Sequence, residues 1–260
     1  MNLKQNLTNY IYSNNRFNYI INYLQYNKID YKIDQYSSLK NIIIEFNEGF
    51  YKKKPLVLMA HYDILNIESH SANDNSSSVI VLLELARSLN NNKCKNNIVI
   101  LLNDNEEKIG IFYNKDINID IKNRFVNEIG SLFFINKYKS LYDEFIILEL
   151  CGRGDSLYIS DKSGQFESDK DLLNLLNNIA KTNNFPFINI TVGISDLFSV
   201  ASFNKKGCVI GTVNGDYKAA ENPLIWNNIH TAEDSIDKIE ENSLKLVYNF
   251  LLKITNTRFN

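Results

Sequence analysis

The sequence predicts an α/β fold: a single domain with a mostly parallel central sheet that is flanked by helices on both faces. Short, continuously apolar runs of strand length alternate along the chain with longer segments of helical character. The 260 residues, 44% of them hydrophobic, suffice for one large core. Because no internal repeat, linker or break in composition indicates a second domain, we assign residues 1–260 to one domain. Residues 1–39 are predicted to be its N-terminal extension of helix and strand.

The N-terminal quarter is predicted to contain one helix and three strands. Residues 16–25 space their apolar side chains as an amphipathic helix does, and residues 29–34 and 39–46 alternate as strands do. Residues 47–50, NEGF, are expected to form a turn. Residues 54–60, KPLVLMA, form a continuous apolar run, which is typical of a strand that is buried on both faces of a parallel sheet.

The remainder of the chain is predicted to alternate helix and strand. Residues 76–89 are apolar almost all round, which predicts a buried helix, and the serines at its start suit an N-cap. Residues 171–180 carry an apolar stripe at helical spacing, and residues 243–254 close the chain as a further helix. The apolar runs that are predicted to be buried strands are residues 97–103, 145–150 and 208–213. Residues 111–140 show no clear pattern.

Composition argues against several classes of protein. The formal net charge is -2 and the pI is about 6.0, so no overall positive field points to nucleic acid or to an anionic membrane. No apolar stretch approaches the roughly 20 residues that span a bilayer, and the N-terminus lacks the apolar core of a signal peptide. Cys94, Cys151 and Cys208 have no CxxC spacing, so neither a disulfide framework nor a thiolate metal site is expected. We therefore expect a cytoplasmic protein that binds neither nucleic acid nor membrane.

Polar side chains follow the predicted strands at the edge of the sheet where ligands gather in α/β proteins. In chain order they are His61, Asp63, Asp74, Glu106, Glu107, Glu149 and His230. Taken singly, each also has a structural explanation, such as a helix cap at Asp74 or a solvated turn at Glu106. Taken together, the carboxylates would repel one another and raise each other's pKa unless a cation held them. Since zinc accepts imidazole nitrogen and carboxylate oxygen as ligands, the pattern favours a divalent-metal site.

The chain resembles the M28 family of zinc metallopeptidases, which contains bacterial aminopeptidases and, as relatives, the glutaminyl cyclases. The motifs that match, in order, are HYD at 61–63, SANDNSSSVIVLLELARSL at 71–89, NEE at 105–107, ISDLFSV at 194–200 and HTAEDSID at 230–237. The resemblance extends from about residue 40 to the C-terminus. It implies a zinc-aminopeptidase-like domain and a zinc-dependent hydrolase that removes N-terminal residues from small peptides.

The resemblance also implies which residues bind metal. His61 would bind one zinc ion, and Asp74 would bridge it to a second, with a cis peptide bond after Asp74. Glu107 and His230 would complete the ligands of the second ion. Glu149 would be the remaining ligand of the first ion, at a position where the family usually has Asp. The resemblance implies one or two zinc ions, with cobalt or manganese as alternative metals.

Two residues that bind no metal complete the implied site. Asp63 would orient the ring of His61, as a carboxylate commonly does for a metal-bound histidine. Glu106 would be the general base that takes a proton from metal-activated water and returns it to the leaving amine.

Two other functions remain open at this stage. A single-zinc relative that performs glutaminyl cyclisation would hold its ion on Asp74, Glu107 and His230, which would account for Glu149. A non-catalytic binding protein would keep the M28 fold without the activity, but such a protein would be expected to have lost the base at Glu106.

Overall fold

The computed structural model describes residues 2–46, 54–65, 69–92, 97–113, 124–216 and 226–257. The turn predicted at residues 47–50 lies outside these ranges. The described α-helices are α1 Leu3–Ile11, α2 Arg16–Tyr26, α3 Ser78–Asn91, α4 Lys108–Tyr113, α5 Gly130–Tyr138, α6 Lys170–Thr182, α7 Leu197–Ser202 and α8 Glu241–Thr257. The described strands are β1 Lys32–Tyr36, β2 Leu39–Phe46, β3 Leu56–His61, β4 Ile98–Asn103, β5 Glu144–Leu148, β6 Ser156–Ser163, β7 Phe166–Glu167, β8 Phe187–Val192 and β9 Lys206–Val213.

All the described strands belong to one sheet, in the order β1-β2-β4-β3-β5-β9-β6-β7, with β8 paired to β6. The four central strands, β4, β3, β5 and β9, are mutually parallel. Antiparallel pairing begins on either side of them, between β2 and β4 and between β6 and β9. The predicted α/β fold with a parallel central sheet is therefore confirmed, and the sheet as a whole is mixed.

Helices cover both faces of the sheet, because the central strands present apolar side chains to each face. β3 and β4 are buried along their whole length. Successive side chains of a strand point to opposite faces. Leu58 accordingly belongs to the hydrophobic cluster that includes side chains of α1, α2, α3, α6 and α8, while Val57 and Met59 belong to the cluster that includes side chains of α5 and α7. Among the described residues, no helix has the length and apolar character needed to cross a bilayer.

The start of α3 differs from the prediction in a way that shapes the site. An irregular turn, Ala72–Ser77, precedes α3, and the side chain of Ser77 makes no capping hydrogen bond. A serine, Ser77, therefore stands at the predicted N-cap position, but its side chain does not cap the helix. The Ser77 hydroxyl instead donates to the carbonyl of Asn73 at 2.8 Å and accepts the amide N–H of Cys151 at 3.0 Å. This turn, which contains Asp74, is thereby fastened to the segment that follows β5.

Candidate metal centre

The parallel strands deliver polar side chains to one edge of the sheet. His61 is the last residue of β3 and lies opposite Asn103, the last residue of β4. Glu106 follows shortly after β4, and Glu149 directly follows β5, which ends at Leu148. Because parallel strands end at the same edge, side chains far apart in the sequence converge there.

One group of donors combines the ends of β3 and β5 with the turn before α3. His61 Nε2 lies 3.3 Å from Asp74 Oδ1 and 3.6 Å from Glu149 Oε2. All three residues are buried. The peptide bond between Asp74 and Asn75 is cis, as the resemblance implies. The Asn75 side chain donates to the carbonyl of Leu148 at 2.8 Å, which ties the Asp74 turn to β5.

A second group of donors shares Asp74 with the first. His230 Nε2 lies 3.0 Å from Asp74 Oδ2 and 3.2 Å from Glu107 Oε2. The two oxygens of Asp74 thus face different histidines. The structure brings together all five residues that the sequence predicted as metal ligands, in two groups that each offer three ligand atoms.

The spacing of these atoms fits a divalent cation. Two ligand atoms bound tetrahedrally at about 2.0–2.2 Å lie about 3.3–3.6 Å apart. The four histidine-to-carboxylate distances fall between 3.0 and 3.6 Å, close to that range. In addition, Oε1 of Glu107 and Oε1 of Glu149 are buried without a hydrogen-bond partner among the described residues. The donor set, its spacing and these unpartnered oxygens therefore suit one or two ions such as zinc.

The electrostatics of the cluster lead to the same conclusion. Hydrogen bonds to Asp74 and Glu107 raise the pKa of His230 to about 10, whereas burial raises the pKa of Glu149 to about 7 against the attraction of His61. Burial opposes ionisation of Asp74, but its bonds to His230 and His61 prevail and lower its pKa. Protons on these histidines and carboxylates thus balance a dense negative charge, and a divalent cation can take over that role.

Asp63 contacts both the first histidine and the glutamate pair. Its Oδ1 lies 3.3 Å from Nδ1 of His61, which places it where the sequence predicted an orienting carboxylate. Its two oxygens also accept the backbone N–H groups of Glu106 and Glu107, at 3.1 and 3.2 Å. The sequence did not predict these last two bonds, through which Asp63 fixes the backbone of a metal-ligand candidate and of the candidate base.

The candidate base, Glu106, is buried at the edge of the first donor group. Its Oε2 lies 3.8 Å from Nε2 of His61. Burial raises the pKa of Glu106 well above its usual value, against the opposing attraction of His61 and with repulsion from Asp196 and Glu149 adding to the rise. Glu106 thus lies beside the ligand atoms but belongs to neither group of three.

Asp234 is a residue of the site that the sequence reasoning did not single out. Its two carboxylate oxygens accept the backbone N–H groups of Asn73 and Asp74, at 2.8 and 3.0 Å, and its carbonyl accepts the N–H of Ala72 at 3.3 Å. Burial raises the pKa of Asp234 to about 6, although both N–H groups favour its charged form. Asp234 follows His230 in the HTAEDSID motif. The same loop therefore carries one ligand candidate, His230, and fixes the turn that carries another, Asp74.

Replacing Asp234 with Asn is expected to weaken metal binding. The carboxylate accepts two backbone N–H groups, whereas an amide has only one oxygen, so its NH2 group would face at least one of these N–H donors. Losing partners that orient metal ligands typically costs about 10- to 100-fold in metal affinity. Competition between the chain and a chromophoric chelator for zinc measures this loss. An affinity equal to that of the wild type would show that Asp234 does not position Asp74.

A cavity of about 360 Å³ adjoins the two donor groups, near the lower end of the range for small-molecule sites. Part of its lining is polar and consists of His61, Asp74, Glu106, Glu107, Glu149 and His230. Another part is rich in carbon and includes Tyr158, Val192, Ile194, Trp226 and Ile229. The candidate ligands and the candidate base therefore face a space that is large enough for a small substrate.

Comparisons with known proteins agree with this geometry. The sequence profile described as peptidase family M28 matches residues 41–255. The LapA aminopeptidase of Legionella pneumophila has a similar structure, with a TM-score of 0.78 and 16% identity over 99% of this chain and 70% of that chain. A Zn-dependent exopeptidase from Parabacteroides distasonis has a TM-score of 0.70 and 19% identity over 99% of this chain and 97% of that chain. A glutaminyl cyclase from an Acidobacteriales bacterium has a TM-score of 0.70 and 17% identity over 99% of this chain and 94% of that chain. No curated protein sequence matches the chain significantly.

Proposed function

The chain belongs to peptidase family M28, and on that premise we propose that it is a zinc-dependent hydrolase that removes N-terminal residues from small peptides. The observation that carries the proposal is the position of Glu106, a buried carboxylate beside two groups of metal donors that share Asp74. An acidic side chain that is free of the ligand groups but adjacent to them is what metal-assisted hydrolysis requires.

Each side chain has a separate task in this proposal. When bound here, zinc lowers the pKa of a coordinated water towards about 7 and polarises the carbonyl of the scissile bond. Glu106 accepts the proton of the attacking water on its carboxylate and delivers it to the nitrogen of the leaving amine. Asp63 keeps the backbone of Glu106 in place through its bond at 3.1 Å. The cavity of about 360 Å³ has room for a terminal residue, which supports exopeptidase action on short substrates.

Glutaminyl cyclisation by a single-zinc centre is the second candidate function. The similarity to the Acidobacteriales glutaminyl cyclase supports it, but chain length does not separate the two functions, because the chain covers 94% of that cyclase and 97% of the Parabacteroides exopeptidase. The position of Glu149 favours the hydrolase instead. Its Oε2 is 3.6 Å from Nε2 of His61. Although Glu is longer than the Asp that is usual in the family, Glu149 can therefore still complete the donor group of His61 and Asp74.

Metal content and two substrates separate these functions. We expect the zinc-loaded chain to bind two ions, one for each donor group, and to release p-nitroaniline from Leu-p-nitroanilide. It should leave a peptide with N-terminal Gln uncyclised. A single ion together with pyroglutamate formation would establish the cyclase instead. Bound zinc without turnover of either substrate would favour a non-catalytic binding protein.

A further inference from the structure

We propose that a second cavity, separate from the metal centre, binds a free amino acid through its ammonium and carboxylate groups. This cavity has a volume of about 360 Å³ and lies between the turn that joins β1 to β2, the start of α4 and residues 124–128. Among the described residues, none lines both this cavity and the one beside the metal donors. The inference therefore concerns a site that the proposed hydrolysis does not use.

Both signs of charge line this second cavity. The ammonium group of Lys108 and the guanidinium group of Arg124 are positive, and the carboxylate of Glu128 is negative. Within the part of the chain that the structure describes, none of the three forms an ion pair, either with one another or with another residue. An amino acid carries the complementary carboxylate and ammonium groups close together, so one small ligand can partner all three side chains.

The other lining groups are mostly polar and suit a small, polar amino acid. The guanidinium group of Arg124 has its Cζ 5.3 Å from the ring centroid of Phe125, and its planar fork of N–H donors matches a carboxylate. Lys108, which is half-buried, adds a second cation to the same cavity. The hydroxyl of Ser37 and the amide of Asn127 also line it and can bond a polar side chain. Serine is therefore a suitable probe of the site.

Hydrogen bonds join the walls of the second cavity in the absence of a ligand. The backbone N–H of Lys40, next to the β1–β2 turn, donates to Oδ2 of Asp104 at 3.1 Å. The side chain of Asn105 donates to the carbonyl of Glu128 at 3.1 Å, and the N–H of Gly130 donates to the carbonyl of Asp104 at 2.8 Å. Because these bonds hold the three walls together, binding has little backbone to order, which favours affinity.

A segment of four residues separates the second cavity from the metal centre. Asn105 and Lys108 line the second cavity, whereas Glu106 and Glu107, which lie between them in the chain, line the cavity beside the metal donors. An amino acid bound in the second cavity thus contacts the segment that carries the candidate base and a candidate ligand. Free amino acids are also what the proposed hydrolysis releases, so its products belong to the class that this cavity accepts.

Isothermal titration calorimetry of the zinc-loaded chain with L-serine tests the site. Serine should bind, whereas N-acetylserine, which lacks the ammonium group, and serinamide, which lacks the carboxylate, should bind at least about 10-fold more weakly. Each analogue loses hydrogen bonds between charged groups, and these are worth about a factor of ten or more. For the same reason, Arg124→Gln and Glu128→Gln should each weaken serine binding by at least about 10-fold.

Two further variants serve as matched controls. Lys181→Gln removes a cation and Glu167→Gln removes a carboxylate, and both side chains are exposed and line neither cavity. Both variants should bind serine as the wild type does. All four variants should keep the zinc affinity of the wild type, since none replaces a candidate ligand.

Three results would overturn the inference. No binding of serine would exclude the site. Serine binding that neither Arg124→Gln nor Glu128→Gln weakens would place serine elsewhere, for example at the metal centre. Binding of N-acetylserine or inorganic phosphate as tight as that of serine would indicate a site for simple anions. None of these results depends on whether the chain hydrolyses Leu-p-nitroanilide, so this inference and the proposed function can fail separately.

Discussion

Glu106→Gln is expected to lower kcat by about 100- to 10 000-fold without loss of bound metal, because it removes a proton acceptor and leaves the ligand groups intact. Gln has the same size as Glu, and the backbone N–H of Glu106 keeps its bond to Asp63. The side chain of Glu106 belongs to neither group of donors. Steady-state kinetics together with zinc per chain by elemental analysis measure both quantities.

The adjacent glutamate provides a matched control. Glu107→Gln makes the same chemical change one residue later, but Glu107 lies 3.2 Å from His230 within the second donor group. We expect this variant to lose both zinc and activity, whereas Glu106→Gln loses activity alone. Full activity in Glu106→Gln, with zinc bound, would exclude Glu106 as the base.

Asp74→Asn is expected to cause the largest loss of metal, because Asp74 is the one candidate ligand that both groups share. An amide can offer one oxygen, whereas the carboxylate offers Oδ1 to the side of His61 and Oδ2 to the side of His230. Replacing a residue that merely orients a ligand lowers metal affinity by about 10- to 100-fold. Because Asp74 is itself a candidate ligand, we expect its replacement to lower zinc affinity by at least about 100-fold.

Thermal and chemical unfolding with and without zinc check this loss independently of activity. At free zinc near 100 times the wild-type Kd, the wild type should gain about 2.7 kcal/mol in free energy of unfolding, and the variant only about 0.4 kcal/mol or less. Asp171→Asn, at an exposed carboxylate of α6 away from the site, should respond to zinc as the wild type does. Equal stabilisation of Asp74→Asn and wild type would contradict a shared ligand.

The fold could be predicted where burial imposes a simple pattern on the sequence. β3 and β4 are covered on both faces, so they appear as continuous apolar runs, and α3 is apolar nearly all round for the same reason. β1 begins at Lys32 instead of the predicted residue 29, because only its middle residue, Asp34, is buried and the pattern is weak.

Several elements were not predicted because their sequences lack such a pattern. β6 ends in polar residues, and β8 is half-exposed with Asn189 on its surface. α5 is short and lies in the segment 111–140, which showed no pattern. α1 could have been found, since Leu3, Leu7 and Tyr10 have helical spacing and are fully buried.

The candidate site could be predicted from sequence because parallel strands end at a common edge, which brings His61, Glu106 and Glu149 together once the strands are recognised. The path of the loop after β9 is not encoded in any periodicity. His230 was assigned to this edge only because it follows the last predicted strand, its role as a ligand came from the resemblance to M28 motifs, and the bonds of Asp234 to the Asp74 turn required the structure.

Anomalous scattering at the zinc edge from crystals grown with zinc tests the central claim most directly. We expect one peak within about 2.0–2.2 Å of ligand atoms of Asp74, Glu107 and His230, and a second bound by His61, Asp74 and Glu149. Zinc-soaked crystals with no anomalous peak at either group would contradict a metal centre at this edge of the sheet.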